Sequence, residues 1–492
     1  MKRKKQGRSE RTKLTEKLKT VIIVLLLALC VWQIYTLLGV PLGSGSKALF
    51  LGLGKASQSS GGSAETTAEN ALKTFSLLSE PETVIVNAVD RRTVLKPGSD
   101  MYKKSIEVIN KTMRSIHSQE AAYTRLSGDG DWRSALKAPS LYLKYPYSKP
   151  VNINAEFLGI KDSPTLKNIS AYSEALLLPN PAANGNICVL IPEAPEYKNI
   201  FKIETNIPSS SLSDILSSNA YTPQRECMFA CELNLDRSVS AGSGSASAAT
   251  LSPMVIIPSE NIKLETVSVS TPYVLSHSTQ ITKTTDFSLE LLELFGYNSN
   301  TVRKYTNSNG SLVFVGESGT LSISPSGIIE YKALDEKVGI TVSPTQTKAG
   351  DLYTPIAQLM GITQRIFSLC EVPLSQGAVK LGFSSAEVNK ATGSVSLSAD
   401  YFINSSILRL PGGHAATAVI KDNVLTEIKL WVKNLEVSEG DSEGENLLEA
   451  VNRFCAQKGG GSHIESAKLV YNFKEDGAAI TPVWEIIGDS GK

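Results

Sequence analysis

Residues 311–331 read SLVFVGESGTLSISPSGIIEY and contain three short strand-like runs separated by turns that contain glycine. The runs are Ser311–Val315, Thr320–Ser324 and Ile328–Tyr331. Runs of this length with tight turns between them predict consecutive antiparallel strands. Upstream, Asp286 is a suitable N-cap for the helix FSLELLELF, and Gly296 follows as its expected C′ residue. This stretch therefore predicts a helix followed by a small antiparallel meander.

The sequence on both sides repeats this combination of helices and strands. Ile106, Ile109, Met113 and Ile116 recur at helical spacing and predict a helix over residues 100–118, with His117 at the boundary of the apolar stripe. A short polar helix is predicted after Asp131-Trp132, and further helices are predicted over 209–218, 352–370 and 446–457. Strands are predicted over 83–86, 140–147, 186–197, 261–267, 380–383, 394–402, 415–420, 425–432 and 468–473, with a closing strand after Pro482. Helices segregated from antiparallel strands define the α+β class.

An apolar segment near the N-terminus predicts a membrane anchor. Residues 20–40 read TVIIVLLLALCVWQIYTLLGV and carry no charge, and 21 helical residues span roughly 31 Å. Nine basic residues and two acidic ones occur in residues 1–40, and the basic ones precede the apolar segment. The positive-inside rule therefore predicts a cytoplasmic N-terminus and an extracytoplasmic body. A cleaved secretory signal is the alternative, although its apolar core is usually shorter.

The charge of the body argues against a nucleic-acid partner. The chain has 492 residues and a formal net charge of +1, and without residues 1–40 it keeps 40 basic and 46 acidic residues. A mildly acidic surface does not attract a polyanion. The length predicts several compact units. We expect a basic cytoplasmic N-terminus (1–19), a transmembrane helix (20–40), a Gly/Ser-rich tether (41–79) and three α+β domains (80–254, 255–345 and 346–492).

Motifs for catalysis or metal binding are missing from the sequence. It contains no H-E-x-x-H, no S-x-x-K with its partner motifs and no G-x-S-x-G on a strand-to-helix turn. The pair Cys227-x-x-x-Cys231 has no second ligand pair to complete a zinc site. The five cysteines outside the apolar segment are an odd number, which is not typical of a disulfide framework. We therefore expect no catalytic residue, no metal and no cofactor, although a carboxylate pair of the glycosidase kind has no signature that sequence alone reveals.

The layout resembles the YycH/YycI family of two-component regulatory proteins, and in length it is closer to YycH. The resemblance lies in the basic start with its single N-terminal helix and in loose strand patterns along nearly the whole body. The stretches that carry it are PETVIV (81–86), DWRSALKAPSLYLKYPY (131–147), LLELFGYNSNTVRKYTNSNGSLVFVGESGTLSISPSGIIEY (291–331), ATAVIKDNVLTEIKLWV (416–432) and LVYNFKEDGAAITPVWEI (469–486). The Gly/Ser spacer and the low-complexity residues 240–250 depart from this layout.

The resemblance implies a regulatory role at the membrane. Proteins of this family are single-pass, extracytoplasmic accessory proteins of the WalK-type sensor histidine kinase, which governs cell-wall metabolism. The implied partners are therefore a membrane sensor kinase and a second accessory membrane protein. Contact with the kinase would use the transmembrane helix, where Ala28, Cys30 and Gln33 are the small or polar positions that favour helix packing. The implied location is the cell membrane.

A second function fits the same observations. An envelope module that binds wall polymer, lipid or an assembly partner without catalysis would have the same topology and the same lack of motifs. Exposed apolar or aromatic surface patches would distinguish the two functions, and such patches are recognised only in a three-dimensional structure. No sequence motif identifies the partner kinase, shows whether the kinase is activated or inhibited, or indicates a small-molecule ligand.

Overall fold

The computed structural model describes most of the chain from Glu80 to Asp489. The described residues are 80–88, 91–118, 123–127, 129–151, 154–155, 158, 160, 169, 171–180, 185–193, 199–217, 226–236, 250–259, 263–277, 286–341, 353–376, 378–389, 392, 394–422, 424–438, 440, 444–458 and 462–489. The predicted transmembrane helix and tether lie outside these residues. Within the described part, no helix combines the length and apolar character needed to cross a membrane.

In the described residues, the first part of the body is an antiparallel sheet of seven strands. They are β1 (Thr83–Asn87), β2 (Arg92–Val94), β3 (Tyr123–Ser127), β4 (Ser140–Pro150), β5 (Ala171–Pro179), β6 (Asn186–Pro192) and β7 (Asn199–Pro208). Their order across the sheet is β2-β1-β4-β5-β6-β7-β3. The sequence patterns predict β1, β4 and β6, but they leave out β5 and β7, which lie beside them.

Helices cover both faces of this sheet. They are α1 (Asp100–Ser118), α2 (Asp129–Lys137) and α3 (Ser210–Ser217). The predicted stripe of α1 packs with α3 on one face, against a cluster that includes Val84 and Val86. On the other face, Trp132 of α2 packs against Ile85 and Tyr142. Alternate residues of β1 thus enter different cores, as the two-residue period of a strand requires. We call residues 80–217 the N-terminal lobe.

The described residues 226–236 and 250–259 form a ribbon that connects two parts of the body. Its strands are β8 (Cys227–Phe229), β9 (Thr250–Leu251) and β10 (Ile256–Pro258), and β8 pairs with β10. Phe229 packs with the core around Trp132, whereas Ala230 and Ile257 pack with residues from the C-terminal end of the chain. The ribbon therefore belongs to the cores of both parts.

The described residues between 263 and 489 form what we call the C-terminal lobe. Its strands are β11 (Thr266–Ser270), β12 (Arg303–Thr306), β13 (Leu312–Val315), β14 (Gly319–Ile323), β15 (Ile328–Ala333), β16 (Ile340–Thr341), β17 (Ser375–Gln376), β18 (Val379–Asn389), β19 (Ser394–Ile403), β20 (Ser406–Arg409), β21 (Ala416–Lys421), β22 (Val424–Trp431), β23 (Asn434–Ser438), β24 (His463–Asn472), β25 (Ala479–Ile480) and β26 (Val483–Asp489). Its helices are α4 (Tyr273–Ser276), α5 (Asp286–Leu294), α6 (Tyr353–Leu369) and α7 (Leu447–Lys458).

One large sheet dominates the C-terminal lobe. The main path runs β12-β13-β14-β15-β22-β21-β19-β20-β24-β26, and β9, β16, β17 and β18 branch from it. The predicted meander is present as β13 to β15, and the GESG segment forms the turn between β13 and β14. Strand β24 pairs in parallel with β20 and with β9, so this sheet is mixed. A separate sheet has the order β23-β11-β25.

The described part of the chain confirms the α+β class. Strand β15 pairs with β22 over Ile328–Lys332 and Glu427–Trp431, so strands from both predicted C-terminal domains, 255–345 and 346–492, share one sheet. The division of the body into three domains stays a prediction. The strand predicted over 261–267 needs correction. The observed strand, β11, begins only at Thr266 and continues to Ser270.

Candidate functional site

A cleft of about 1080 Å³ lies where the two lobes and the ribbon meet. The N-terminal lobe contributes Thr83, Lys144 and Glu174 to its lining. These three residues lie directly opposite one another on β1, β4 and β5. Residues opposite each other in neighbouring strands project from the same face of a sheet. These three polar residues therefore form one wall of the cleft. Ile85 and Tyr142 form the neighbouring row on the same face of the sheet, and that row is apolar.

Strand β24 of the C-terminal lobe also lines the cleft. Lys468 on this strand places its Nζ 3.4 Å from a carboxylate oxygen of Glu82, which precedes β1. The Glu82 side chain is 7 % exposed and the Lys468 side chain is 34 % exposed. His463, Glu465 and Ser466 of the same strand also line the cleft.

A second ion pair crosses between the lobes at Lys96 and Glu265. The Nζ of Lys96 lies 3.0 Å from Oε1 of Glu265, the amide of Asn404 donates to Oε2, and the hydroxyl of Tyr471 donates to the backbone carbonyl of Glu265 at 3.2 Å. Lys96 and Glu265 also line a second cavity of about 780 Å³, which includes Glu371 among its lining residues. The pair therefore lies between two cavities at the junction of the lobes.

The charges of the larger cleft are close to balance. Its lysines are Lys96, Lys144, Lys263 and Lys468, and its glutamates are Glu82, Glu174, Glu226, Glu265 and Glu465. Apolar groups of the ribbon, including Met254 and Ile256, line it as well. A balanced cleft does not concentrate polyanions or polycations. Its chemistry suits an occupant that offers both signs of charge and some apolar surface.

A buried polar cluster lies close to this junction. Lys380 on β18 donates to the carbonyl of Pro81 and to the hydroxyl of Tyr102, both at 3.3 Å, and its Nζ lies 3.5 Å from Glu80 Oε2. Tyr102 in turn donates to Glu80 at 3.1 Å. Burial lowers the pKa of Lys380, and the neighbouring Glu80 carboxylate opposes that shift. The pKa of Tyr102 is raised, first by burial and then by the charge of Glu80.

Lys149 and His117 extend the cluster into the N-terminal lobe. Lys149 Nζ lies 4.0 Å from the centre of the Tyr145 ring, and burial together with the charge of Lys380 lowers the lysine pKa to about 7. His117 is fully buried rather than at the boundary that helical spacing predicts. Its Nε2 accepts from the Asn154 amide at 3.1 Å, and burial lowers its pKa to about 4.

His414 has the neighbours of a catalytic histidine in the wrong arrangement. Its Nδ1 lies 2.9 Å from Asp400 Oδ2 and 3.3 Å from Ser384 Oγ. In a catalytic triad the carboxylate and the nucleophile contact different ring nitrogens, so that a proton can move between them through the ring. Here both contact Nδ1. The geometry orients the ring and leaves Ser384 without a base on Nε2.

The cysteines singled out in the sequence pack as apolar groups. Cys227 and Cys231 lie with Cys188 in the core around Trp132, and all three are free thiols. Burial raises the pKa of Cys227 to about 12 and those of Cys188 and Cys231 to about 11. In the described part of the chain, no three His, Cys, Asp or Glu residues are grouped as metal ligands.

The predicted partner-contact residues Ala28, Cys30 and Gln33 lie outside the described residues. The structure instead brings together groups that sequence reasoning did not select, such as Glu82 and Lys468, which are 386 residues apart. Alternation marks Lys144 as a residue on the polar face of β4. No local signal indicates which charge lies opposite it, because strand order is set by the tertiary fold.

Comparison with known proteins yields only distant similarity. No family model and no curated protein matches the chain. The crystal structure of YycH from Bacillus subtilis aligns with a TM-score of 0.47 and 11 % identity, over 84 % of this chain and 94 % of that one. An uncharacterized protein from Eubacterium rectale aligns with a TM-score of 0.31 and 11 % identity, over 52 % of this chain and 88 % of that one. Similarity of this degree does not assign the chain to a family.

Proposed function

We propose that this chain is a membrane-anchored, extracytoplasmic accessory protein that modulates a two-component sensor histidine kinase. The observation that carries the proposal is the charged cleft at the junction of the two lobes. Two ion pairs, Lys468–Glu82 and Lys96–Glu265, join the lobes there. We infer that the lobes have two relative arrangements. A ligand or partner that binds the charged residues of the cleft more tightly in one arrangement increases the population of that arrangement. The N-terminal apolar segment and the family resemblance support a membrane sensor kinase as the partner that this change regulates.

The energy required is modest. A kinase balanced between two arrangements of its helices changes output when a few kcal/mol of contact favour one of them. Contacts of Ala28, Cys30 and Gln33 with the kinase helices, together with contacts of the body, are a sufficient source. The chain needs no catalytic group for this role.

The test is a crosslinking pull-down of the full-length protein from native membranes. A matched control replaces residues 20–40 with an unrelated transmembrane helix and keeps the body unchanged. We expect recovery of a sensor kinase with the native helix and weaker recovery with the replacement. Kinase autophosphorylation is measured beside it, with residues 21–38 scrambled or residues 81–492 deleted. The proposal is wrong if both changes leave kinase output unaltered.

An envelope-binding module is the second candidate function. The cleft favours it, because its volume of about 1080 Å³ and its mixture of apolar and charged lining are typical of sites that bind ligands. Binding of the full-length protein to isolated cell wall measures this function directly. The variant Lys144→Glu places a like charge opposite Glu174 and should weaken binding in the cleft. Retention on wall material that is lost in this variant, without recovery of a kinase, would favour the second function.

A further inference from the structure

The first described residues of the body are held by the far end of the chain. Glu80, Pro81 and Glu82 follow the predicted tether directly and lead into β1. Lys380 contacts Glu80 and the carbonyl of Pro81, and Lys468 contacts Glu82. Both lysines belong to the C-terminal lobe. Successive residues where the tether joins the body are thus bound to two strands about 300 and 386 residues away.

The two contacts differ in their access to water. Lys380 and Tyr102 are buried, so the contact with Glu80 is shielded from ions in solution. Glu82 is also buried, whereas about a third of the Lys468 side chain is exposed in the cleft. An anion entering the cleft therefore reaches Lys468 before it meets Glu82. The Lys468 contact is the part of the arrangement that a solute can change.

We propose that Lys380 and Lys468 form a latch on residues 80–82, and that a carboxylate-bearing group entering the cleft opens the latch at Lys468. The proposal deepens the function proposed above and rests on it only for the connection of residue 80 to a membrane anchor. When the entering carboxylate forms an ion pair with Lys468, Glu82 is left as a buried charge without its counterion. Such a charge is costly, so the segment moves to hydrate it. Occupancy of the cleft thereby changes how residues 80–82 are held at the start of the described body.

Hydrogen exchange of the backbone amides of residues 80 and 82–84 tests the latch in the full-length protein in detergent micelles, since Pro81 has no amide hydrogen. Lys468→Gln removes the cation, and we expect at least a fivefold faster exchange in this segment. Glu82→Gln removes the attraction to Lys468 without leaving a buried charge to hydrate, so we expect a smaller acceleration of about twofold, and this variant keeps the test valid if Lys468→Gln folds poorly. The control is Arg409→Gln, which breaks the exposed 2.8 Å pair with Glu485 inside the C-terminal lobe and should leave residues 80–84 unchanged.

Exchange in β5 separates a local opening from loss of the whole lobe. We expect the amides of residues 175–177 to keep their protection in both variants. Unchanged exchange at 80–84 in both Lys468→Gln and Glu82→Gln would overturn the latch. Equal acceleration at 80–84 and in β5 would overturn it as well, because the contact would then stabilise the lobe as a whole.

A titration with tripeptides tests the opening step. Glu-Leu-Lys amide offers both signs of charge and an apolar group, and it should accelerate exchange at residues 80–84 in the wild-type protein. Gln-Leu-Lys amide, which has no carboxylate, should not do so at equal ionic strength. The Lys468→Gln variant should show no further response to Glu-Leu-Lys amide. An equal response to both peptides, or none to either, would overturn the opening by a carboxylate. No kinase is present in these measurements, so their failure is distinct from a failed pull-down.

Discussion

The Nζ of Lys433 lies 2.6 Å from Oδ1 of Asp476, although only 1 % of the lysine side chain is exposed. The ammonium also donates to Thr271 Oγ1 at 2.7 Å, and the ring of Phe473 lies 5.1 Å away. Lys433 follows β22, Thr271 follows β11, and Asp476 lies in the turn before β25. One buried cation therefore joins segments that are distant in sequence.

Removal of Lys433 should destabilise the protein measurably. Lys433→Ala leaves a cavity and removes the counterion of Asp476, and we expect a loss of about 3 kcal/mol in the free energy of unfolding. Lys433→Met keeps most of the side-chain volume, and Asp476 is 39 % exposed and can rehydrate, so we expect about half that loss. Urea unfolding followed by tryptophan fluorescence measures both values.

The control for Lys433 is an exposed pair in the same sheet. Lys332 and Glu427 lie 3.6 Å apart and are both well exposed, so Lys332→Ala should change stability by less than about 0.5 kcal/mol. Equal effects of Lys433→Ala and Lys332→Ala would contradict the assigned importance of burial.

Lys149 should make stability depend on pH above neutrality. The folded protein releases its proton near pH 7, whereas the ordinary lysine pKa is 10.5. Between these values the unfolded chain binds more protons, so stability rises with pH, and the full cost of burying the charge is present below pH 7. Lys149→Met should raise the free energy of unfolding at pH 7. It should also lower the slope of that free energy against pH by about 1 kcal/mol per pH unit. Unfolding free energies at pH 7, 8 and 9 give the slope, and identical slopes in both proteins would refute the prediction.

His117 should contribute an acid-sensitive part of the stability. Its pKa is about 4 in the folded protein and 6.5 ordinarily, so the unfolded chain binds the proton first as the pH falls. The contribution is complete above pH 6.5 and is lost as the pH falls through 4, by up to about 3 kcal/mol. His117→Gln keeps a polar group near Asn154 and should flatten this decline. Stability measured at pH 7, 5.5 and 4 checks it, and an unchanged decline in the variant would exclude His117 as its source.

Gly327 should resist replacement more strongly than another glycine with similar backbone geometry. Its φ is +88°, and a Cβ there would lie 2.7 Å from the carbonyl oxygen of Val432. Gly310 has a φ of +80°, and its nearest neighbour would be 3.7 Å away, at Pro325. We expect Gly310→Ala to cost about 1 kcal/mol from backbone strain, and Gly327→Ala to cost roughly 1–3 kcal/mol more because of the clash. Thermal unfolding of the two variants compares them, and equal melting temperatures would contradict the expectation.

Local periodicity was enough to predict several elements of this fold. The apolar stripe of α1, the meander of β13 to β15 and the α+β class follow from residues close together in sequence, because helices and hairpins form through contacts of short range. The same patterns missed β5 and β7. They also placed His117 at a boundary, because spacing within one helix does not show which elements cover it from outside.

The sequence by itself determined the secondary-structure class and the charge asymmetry of the N-terminus, and it predicted the apolar anchor, since each depends on composition or on spacing within a few turns. Only the tertiary structure decided which strands are neighbours and which charges meet. Lys468 reaches Glu82, and Lys380 reaches Glu80, because β24 and β18 pack beside the start of β1. Burial then separates two chemically identical lysines, since Lys380 is shielded from water and Lys468 opens onto the cleft.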